Sequence, residues 1–171
     1  MRVEIIETGL APAREMTPMS EVRGIVIHHT GKYDIDASAE QIYEWHVYEK
    51  GWAHIGYHKI FRKGGNVERG RPEDCQGAHC PGANSYTMGY HVSGSFGGQL
   101  PSDAQLQSIV AAAADDCEKY GLDPLGVLPN GKPVISGHRD WTTTECPGDM
   151  LYAILPQIRQ QVAEAMQQGV A

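Results

Sequence analysis

The stretch that most constrains the fold is residues 23–30, RGIVIHHT, in which a β-branched apolar run ends in two histidines. A short run rich in isoleucine and valine is typical of a strand buried inside a sheet. The histidines stand at the carboxyl end of this strand, where side chains can reach a cleft without interrupting the sheet. Because adjacent strand residues point to opposite faces, we expect at most one of His28 and His29 to enter that cleft.

Further strand patterns follow along the chain. Residues 56–70 indicate two short strands around a Gly-Gly-Asn turn, and residues 87–94 and 132–138 each indicate one more strand. Helical segments lie between and after these strands. The order of elements predicts an α/β fold, with a central mixed β-sheet flanked by about three helices.

The three helices are predicted from their start signals and their periodicity. Ser38 and Ser102 are each followed three residues later by glutamine, which makes a capping box, and the second of these helices should end before Gly121. A third helix is expected over residues 150–168, bent or split by Pro156. The second helix carries apolar residues at helical spacing, which predicts a core-facing stripe of Leu106, Ile109, Val110, Ala113, Cys117 and Tyr120.

Composition narrows the classes of protein and partner. The chain has 171 residues, 41% of them hydrophobic and 20% charged, which suits a single domain over residues 1–171. A formal charge of −7 gives no cationic surface for nucleic acid or for an anionic membrane. No apolar run reaches transmembrane length, and Glu4 and Glu7 interrupt the place of a secretory signal. We expect a monomer made in the cytoplasm without a signal peptide, with no membrane insertion.

The four cysteines are too few and too unevenly spread for a disulfide scaffold. Cys117 falls on the helical stripe and is interpreted as a small buried hydrophobe. Cys75 and Cys80 flank His79 closely and could form a short-loop disulfide, stay free thiols, or join His79 in a second metal site. The metal is the least favoured of these three alternatives.

A polar loop at residues 137–149, GHRDWTTTECPGD, carries His138 at one end and Cys146 at the other. With one histidine of the strand pair, these side chains supply two imidazoles and a thiolate. Catalytic zinc sites use three such protein ligands and leave the fourth position to water. A thiolate argues against magnesium and calcium, which prefer oxygen ligands. These residues alone indicate a zinc hydrolase and leave its substrate open.

Four stretches within residues 23–149 occur together in a characteristic order: IVIHHT, GWAHIGYHKIFRKGGNVERGRP, GAHCPGANSYTMGYHVSG and SGHRDWTTTECPGD. In this order they resemble the zinc-dependent N-acetylmuramoyl-L-alanine amidases of the type shared by small phage endolysins and peptidoglycan recognition proteins. The resemblance implies helices packed mainly on one face of the sheet and a substrate groove on the other. It also implies that peptidoglycan or muropeptides are the partner, cut at the amide between N-acetylmuramic acid and L-alanine.

The resemblance assigns roles around the metal. His28, the first histidine of the pair, matches the first ligand of the zinc ion (Zn²⁺), and His138 and Cys146 match the second and third. Tyr57 matches a tyrosine beside the metal, where a phenol can stabilise the charge that develops on a carbonyl oxygen. Some phage members carry lysine at the position of Thr144. Here Thr144 is expected to help orient the carbonyl oxygen as an uncharged hydrogen-bond donor.

Two further histidines are expected along the groove. His79 lies in a loop that the family uses there and is a candidate substrate contact. His91 takes a position where some members carry a glutamate with a part in proton transfer. Alternation puts His91 on the face of the strand opposite to that of Tyr90 and Val92, where it is a candidate proton shuttle or substrate contact in the groove. A structural histidine with satisfied hydrogen bonds is the alternative at position 91.

Other functions compete with the amidase. A cysteine hydrolase could pair Cys146 with His138 as its base, but it would leave His28 unexplained. A non-catalytic peptidoglycan sensor of the same fold would typically have lost the cysteine. A structural zinc site would need a fourth protein ligand, such as His29. An endolysin acting on the cell wall and a cytoplasmic wall-recycling enzyme would share the same chemistry.

Overall fold

The computed structural model describes residues 1–169, which contain a six-stranded sheet. The strands, in chain order, are β1 (Ile5–Ile6), β2 (Gly24–His29), β3 (Lys59–Phe61), β4 (Val67–Arg69), β5 (Thr87–Val92) and β6 (Ile135–Gly137). They lie in the order β1-β4-β3-β5-β2-β6. Strands β3 and β4 pair antiparallel across the predicted glycine-rich turn, and the other neighbours pair in parallel. The predicted mixed sheet and α/β class are therefore confirmed.

The α-helices of the described chain are α1 (Ala39–Tyr43), α2 (Asp103–Tyr120), α3 (Asp149–Ala153) and α4 (Leu155–Gln168). Helix α1 continues as a π-helix over Glu44–Glu49, so the first predicted helix forms after Ser38 but does not have a uniform geometry. The third predicted helix is split at Ile154, because Pro156 lies in the first turn of α4 and its ring cannot continue a preceding helix. Within residues 1–169, none of the helices combines the length and the apolarity needed to cross a bilayer.

The two faces of the sheet have different partners. On one face the apolar side chains pack against α2 and α4 in the main core, which includes Ile25, Ile27, Met88, Ile109, Cys117, Leu155, Ile158 and Val162. The predicted stripe of α2 contributes to this core or packs against it. His28 and His91 pair in register on the other face, which α1 covers in part where its Ile42 packs with Ile60 of β3. One end of this second face is therefore not covered by any helix within the described residues and is available for a functional site.

All four cysteines are free thiols. Cys117 is buried in the core as predicted, and Cys80 is buried against Val26 and Ala83. The alternative of a disulfide between Cys75 and Cys80 is therefore wrong. The second metal site with His79 does not form either, because the metal-capable cluster found among residues 1–169 includes none of these three residues.

A buried ion pair joins β3 to α2 within the main core. Lys59 Nζ donates to the two carboxylate oxygens of Asp116 at 2.9 and 2.8 Å, and the two side chains are only 3% and 5% exposed. Tyr90 donates a further hydrogen bond to Asp116, and a carboxylate oxygen of Glu73 lies 3.4 Å from Lys59 Nζ. Because an unpaired charge here would be costly to bury, loss of either partner is expected to destabilise the contact between α2 and the sheet.

We expect the substitution Lys59→Met to lower the free energy of unfolding by about 3–5 kcal/mol, because Asp116 would stay buried without its cation. Lys119→Met is the matched control. Its Nζ lies 3.7 Å from Glu73, but the side chain is 60% exposed, so a loss below about 1 kcal/mol is expected. Urea unfolding followed by circular dichroism measures both variants. Equal losses would show that burial does not set the strength of the pair.

Candidate metal centre and active site

His28, His138 and Cys146 meet where β2 and β6 end. One ligand atom from each residue lies within 4.8 Å of the others. Cys146 Sγ is 3.8 Å from His28 Nδ1, and the ring centroids of His28 and His138 are 4.6 Å apart. Strands β2 and β6 are parallel neighbours, so residues distant in sequence reach the same edge of the sheet. The three predicted ligands are therefore brought together.

The polar loop after β6 is closed by its own hydrogen bonds. His138 directly follows β6 and starts a 3-10 turn, His138–Asp140, whose Asp140 Oδ2 accepts from Gly137 N at 2.9 Å. At the other end, Arg139 N donates to Cys146 O at 3.1 Å. This bond holds the two ends of the loop against each other, which keeps the Cys146 thiol next to the His138 ring.

The protonation states of these side chains fit a divalent cation with an affinity for nitrogen and sulfur. Burial lowers the pKa of His28 well below its ordinary value, and burial also lowers the pKa of His138. Both rings are thus neutral, the form that coordinates a metal. Burial raises the pKa of the Cys146 thiol to about 12, so it needs a bound cation to become a thiolate at neutral pH. A cysteine hydrolase needs the opposite shift and is not supported.

The cluster found in residues 1–169 offers three protein donors, and it opens into a cavity. His29, the fourth donor considered, accepts from Phe96 N through its Nδ1 at 3.1 Å and reaches Cys146 Sγ only with its backbone N–H, at 3.4 Å. The cavity has a volume of about 800 Å³ and is lined by all three donors. Three donors beside an open cavity are typical of a catalytic metal site, whereas a structural one is closed by four.

Tyr57 and Thr144 line the same cavity. The ring centroid of Tyr57 lies 5.1 Å from that of His28. Burial raises the pKa of Tyr57 well above its ordinary value, so the phenol keeps its hydrogen and can donate it. Thr144 Oγ1 accepts from Cys146 N at 3.2 Å, a bond that does not use the hydroxyl hydrogen of Thr144. Both hydroxyl groups can therefore act as donors near the metal cluster.

His91 lies on the same face as His28, as strand alternation predicts. It is 2% exposed, its ring centroid is 4.8 Å from that of Tyr57, and its Nε2 is 3.1 Å from Thr30 Oγ1. Its Nδ1 has no hydrogen-bond partner within residues 1–169. Burial lowers the pKa of His91 to about 3, which suits a proton shuttle at neutral pH poorly. A substrate contact stays the better-supported prediction.

His79 lies in a different place from the one expected of a substrate contact. Its side chain is buried behind His28, with His79 Nδ1 2.9 Å from His28 Nε2. The two rings are nearly perpendicular, at 89°. His79 is not among the residues that line the cavity over the metal cluster. Contact with substrate stays a prediction at this position, and its burial favours a role that acts through His28.

Sequence reasoning missed two residues beside the cluster. Thr30 and Lys32 line the cavity of about 800 Å³ and also a second cavity of about 510 Å³, where they meet Tyr57, His91 and Trp45. The available signal was their position, since both residues follow the end of β2 and its two histidines. Residues that directly follow a strand ending in a candidate ligand are therefore candidates for the lining of the same cavity.

Known proteins share the sequence and the fold of this chain. The family described as N-acetylmuramoyl-L-alanine amidase matches residues 18–149. An endolysin of Klebsiella phage KP32 is 37% identical over 134 residues, which cover 78% of this chain and 85% of the endolysin.

Solved structures agree with the sequence match. An endolysin N-acetylmuramoyl-L-alanine amidase, LysCS, from Clostridium intestinale URNW has a TM-score of 0.81 and 29% identity, covering 94% of this chain and 95% of that one. A chain in the complex of peptidoglycan recognition proteins LCa and LCx with bound tracheal cytotoxin has a TM-score of 0.76 and 26% identity, covering 90% of this chain and 95% of that one. The match over residues 18–149, on a fold with this His-His-Cys cluster, shows that the chain belongs to the N-acetylmuramoyl-L-alanine amidase family.

Proposed function

We propose that this chain is a zinc-dependent enzyme that hydrolyses the amide bond between N-acetylmuramic acid and L-alanine in peptidoglycan. Family membership supports the reaction, and the convergence of His28, His138 and Cys146 beside a cavity supports the metal dependence. Two imidazoles and a thiolate favour zinc over magnesium or calcium. Zinc, when bound, acts as a Lewis acid and supplies a hydroxide nucleophile at neutral pH.

The hydroxyl groups of Tyr57 and Thr144 would donate hydrogen bonds to the oxygen of the scissile carbonyl. Negative charge grows on this oxygen when the amide carbon becomes tetrahedral, so a preorganised donor stabilises the transition state more than the substrate. Burial keeps the Tyr57 phenol protonated for this task. The hydrogen bond from Cys146 N orients the Thr144 hydroxyl, which can then donate towards the cavity.

The substrate would extend across the two neighbouring cavities. Both cavities are lined by Thr30, Lys32 and Tyr57, so one long molecule can occupy them together. The second cavity is also lined by His91, which supports a contact between this side chain and a muropeptide. The fold shared with recognition proteins that bind tracheal cytotoxin supports a muropeptide as the partner.

The non-catalytic sensor is the alternative, and the cluster itself disfavours it. A sensor has no use for a third metal ligand and a phenol donor at one cavity, yet Cys146 and Tyr57 both lie there. We further propose that residues 1–171 act as one domain, since α4 packs into the same core as the matched region, and that the protein is a monomer. The phage endolysin relatives support synthesis in the cytoplasm and action on the cell wall.

Digestion of purified sacculi tests the reaction directly. We expect mass spectrometry to find muropeptides with new L-alanine amino termini, and expect a chelator to abolish their release until zinc is added back. Products with new reducing sugars, or L-alanine termini that form undiminished in the chelator, would contradict the proposal.

Replacing the thiol ligand separates metal binding from folding. We expect Cys146→Ser to abolish activity and to leave the circular dichroism spectrum unchanged. Zinc binding should weaken by more than about 100-fold, because even loss of a residue that only hydrogen-bonds a ligand can weaken it by up to that factor. Cys75→Ser is the matched control, because Cys75 is also a partly exposed free thiol but lies outside the metal cluster. Full activity of Cys146→Ser with metal shown to be absent would refute the assignment.

Removing one hydroxyl tests the donor role of Tyr57. We expect Tyr57→Phe to lower kcat by about ten- to a thousandfold with an unchanged zinc content, because the phenyl ring keeps the packing and loses only the hydrogen bond. Tyr48→Phe, at a side chain that is 74% exposed, is the control and should leave kcat unchanged. An unaltered kcat in Tyr57→Phe would reduce Tyr57 to a packing residue.

A further inference from the structure

His28 has two ring nitrogens that face two different partners. Its Nδ1 faces the metal cluster, 3.8 Å from Cys146 Sγ. Its Nε2 lies on the far side of the ring, 2.9 Å from His79 Nδ1, and both rings are buried. A neutral imidazole carries a hydrogen on one nitrogen only, so the partner of Nε2 decides whether Nδ1 is free to bind a metal.

The hydrogen bonds beyond His79 determine which nitrogen of each ring carries the hydrogen. The Thr87 hydroxyl donates to Ala83 O at 2.7 Å, which leaves the Thr87 oxygen as an acceptor. His79 Nε2 lies 3.5 Å from this oxygen, and because the Thr87 hydrogen is directed at Ala83 O, a hydrogen on His79 Nε2 is the arrangement that fits this contact. A neutral His79 with its hydrogen on Nε2 has a bare Nδ1, which can only accept. His28 must therefore donate from Nε2 and keep the Nδ1 lone pair for a metal.

The His79 ring is held in a slot that two glycines leave open. A Cβ atom added at Gly89, in the middle of β5, would lie 2.6 Å from His79 Cδ2, and one added at Gly77 would lie 2.5 Å from the same atom. Asn84 Oδ1 accepts from His79 N at 2.8 Å and so fixes the backbone of the loop. Ring and backbone are thus both constrained, away from solvent. Such a placement suits a residue that orients a neighbour.

We infer that His79 is a positioning residue of the metal centre. It holds the His28 ring in the orientation and in the tautomer that present Nδ1 to zinc, and it does so from behind the ligand rather than from the groove. Histidine ligands commonly donate the N–H of their second nitrogen to a neighbouring acceptor, here the imidazole nitrogen of His79, and loss of such an acceptor weakens metal binding. The inference rests on the proposed zinc site and replaces substrate contact as the role of His79.

Zinc affinity, measured by competition with a chromophoric chelator, tests this role without any activity assay. We expect His79→Ala to weaken zinc binding by about 10- to 100-fold. His79→Asn should stay within about threefold of the parent protein, because the asparagine amide oxygen can accept from His28 Nε2 in place of His79 Nδ1. Gly89→Ala should act like His79→Ala, since its methyl group displaces the ring without touching a ligand.

Two results would overturn the inference. One is an unchanged zinc affinity in His79→Ala with a raised KM, which is the outcome for a substrate contact. The other is long-range ¹H–¹⁵N NMR of the zinc-loaded parent protein that finds zinc on His28 Nε2 and the hydrogen on Nδ1. If His79→Ala does not fold, the NMR spectrum and the His79→Asn variant decide. A parent protein that binds zinc but cuts no sacculi would refute the proposed reaction alone, because these affinities would still be measured.

Discussion

The parallel pairing of β2 with β6 is the contact on which the proposed metal centre depends. In this register Ile25 lies opposite Ile135 and Ile27 opposite Gly137, so His28 and His138 leave the sheet side by side. Because side chains alternate along a strand, a slip of one residue would turn His28 into the helix-covered core and Ile27 towards the cavity. The apolar packing of Ile25 and Ile27 against α2 and α4 opposes that slip. Core packing on one face thereby sets the position of a ligand on the other.

The site is buried on one side of His28 and opens into a cavity on the other. Behind His28 lie the buried ring of His79 and the slot formed by Gly77 and Gly89, while the cavity that we propose for the substrate lies on the other side. Burial favours neutral imidazoles and a neutral thiol, so this fold is prepared for a cation that stabilises the thiolate. Preorganised ligands of this kind lose little freedom when they bind a metal.

Local sequence patterns predicted those strands and helices that depend mainly on the interactions of residues close together in the chain. The apolar run before His28 predicted β2, and the capping box at Ser102 together with its apolar stripe predicted α2. The π-helix after Tyr43 and the neutral state of the buried histidines depend on tertiary packing and were not predictable in this way.

The candidate site shows the same division. Pattern alone supplied the chemistry of two imidazoles and a thiol, and resemblance to a family chose His28 over His29. The resemblance predicts that the loop of His79 runs along the groove, and nothing in the sequence indicates that this histidine faces another imidazole ring. Its contact with His28 links residues 51 positions apart and arises only when β2 and β5 pair.

X-ray absorption at the zinc edge, on the purified protein loaded with one equivalent of zinc, is the most direct measurement of the central claim. We expect two imidazole nitrogens at about 2.0 Å, one sulfur at about 2.3 Å and one further oxygen from solvent. A shell without sulfur, or one closed by a fourth protein ligand, would contradict the central claim.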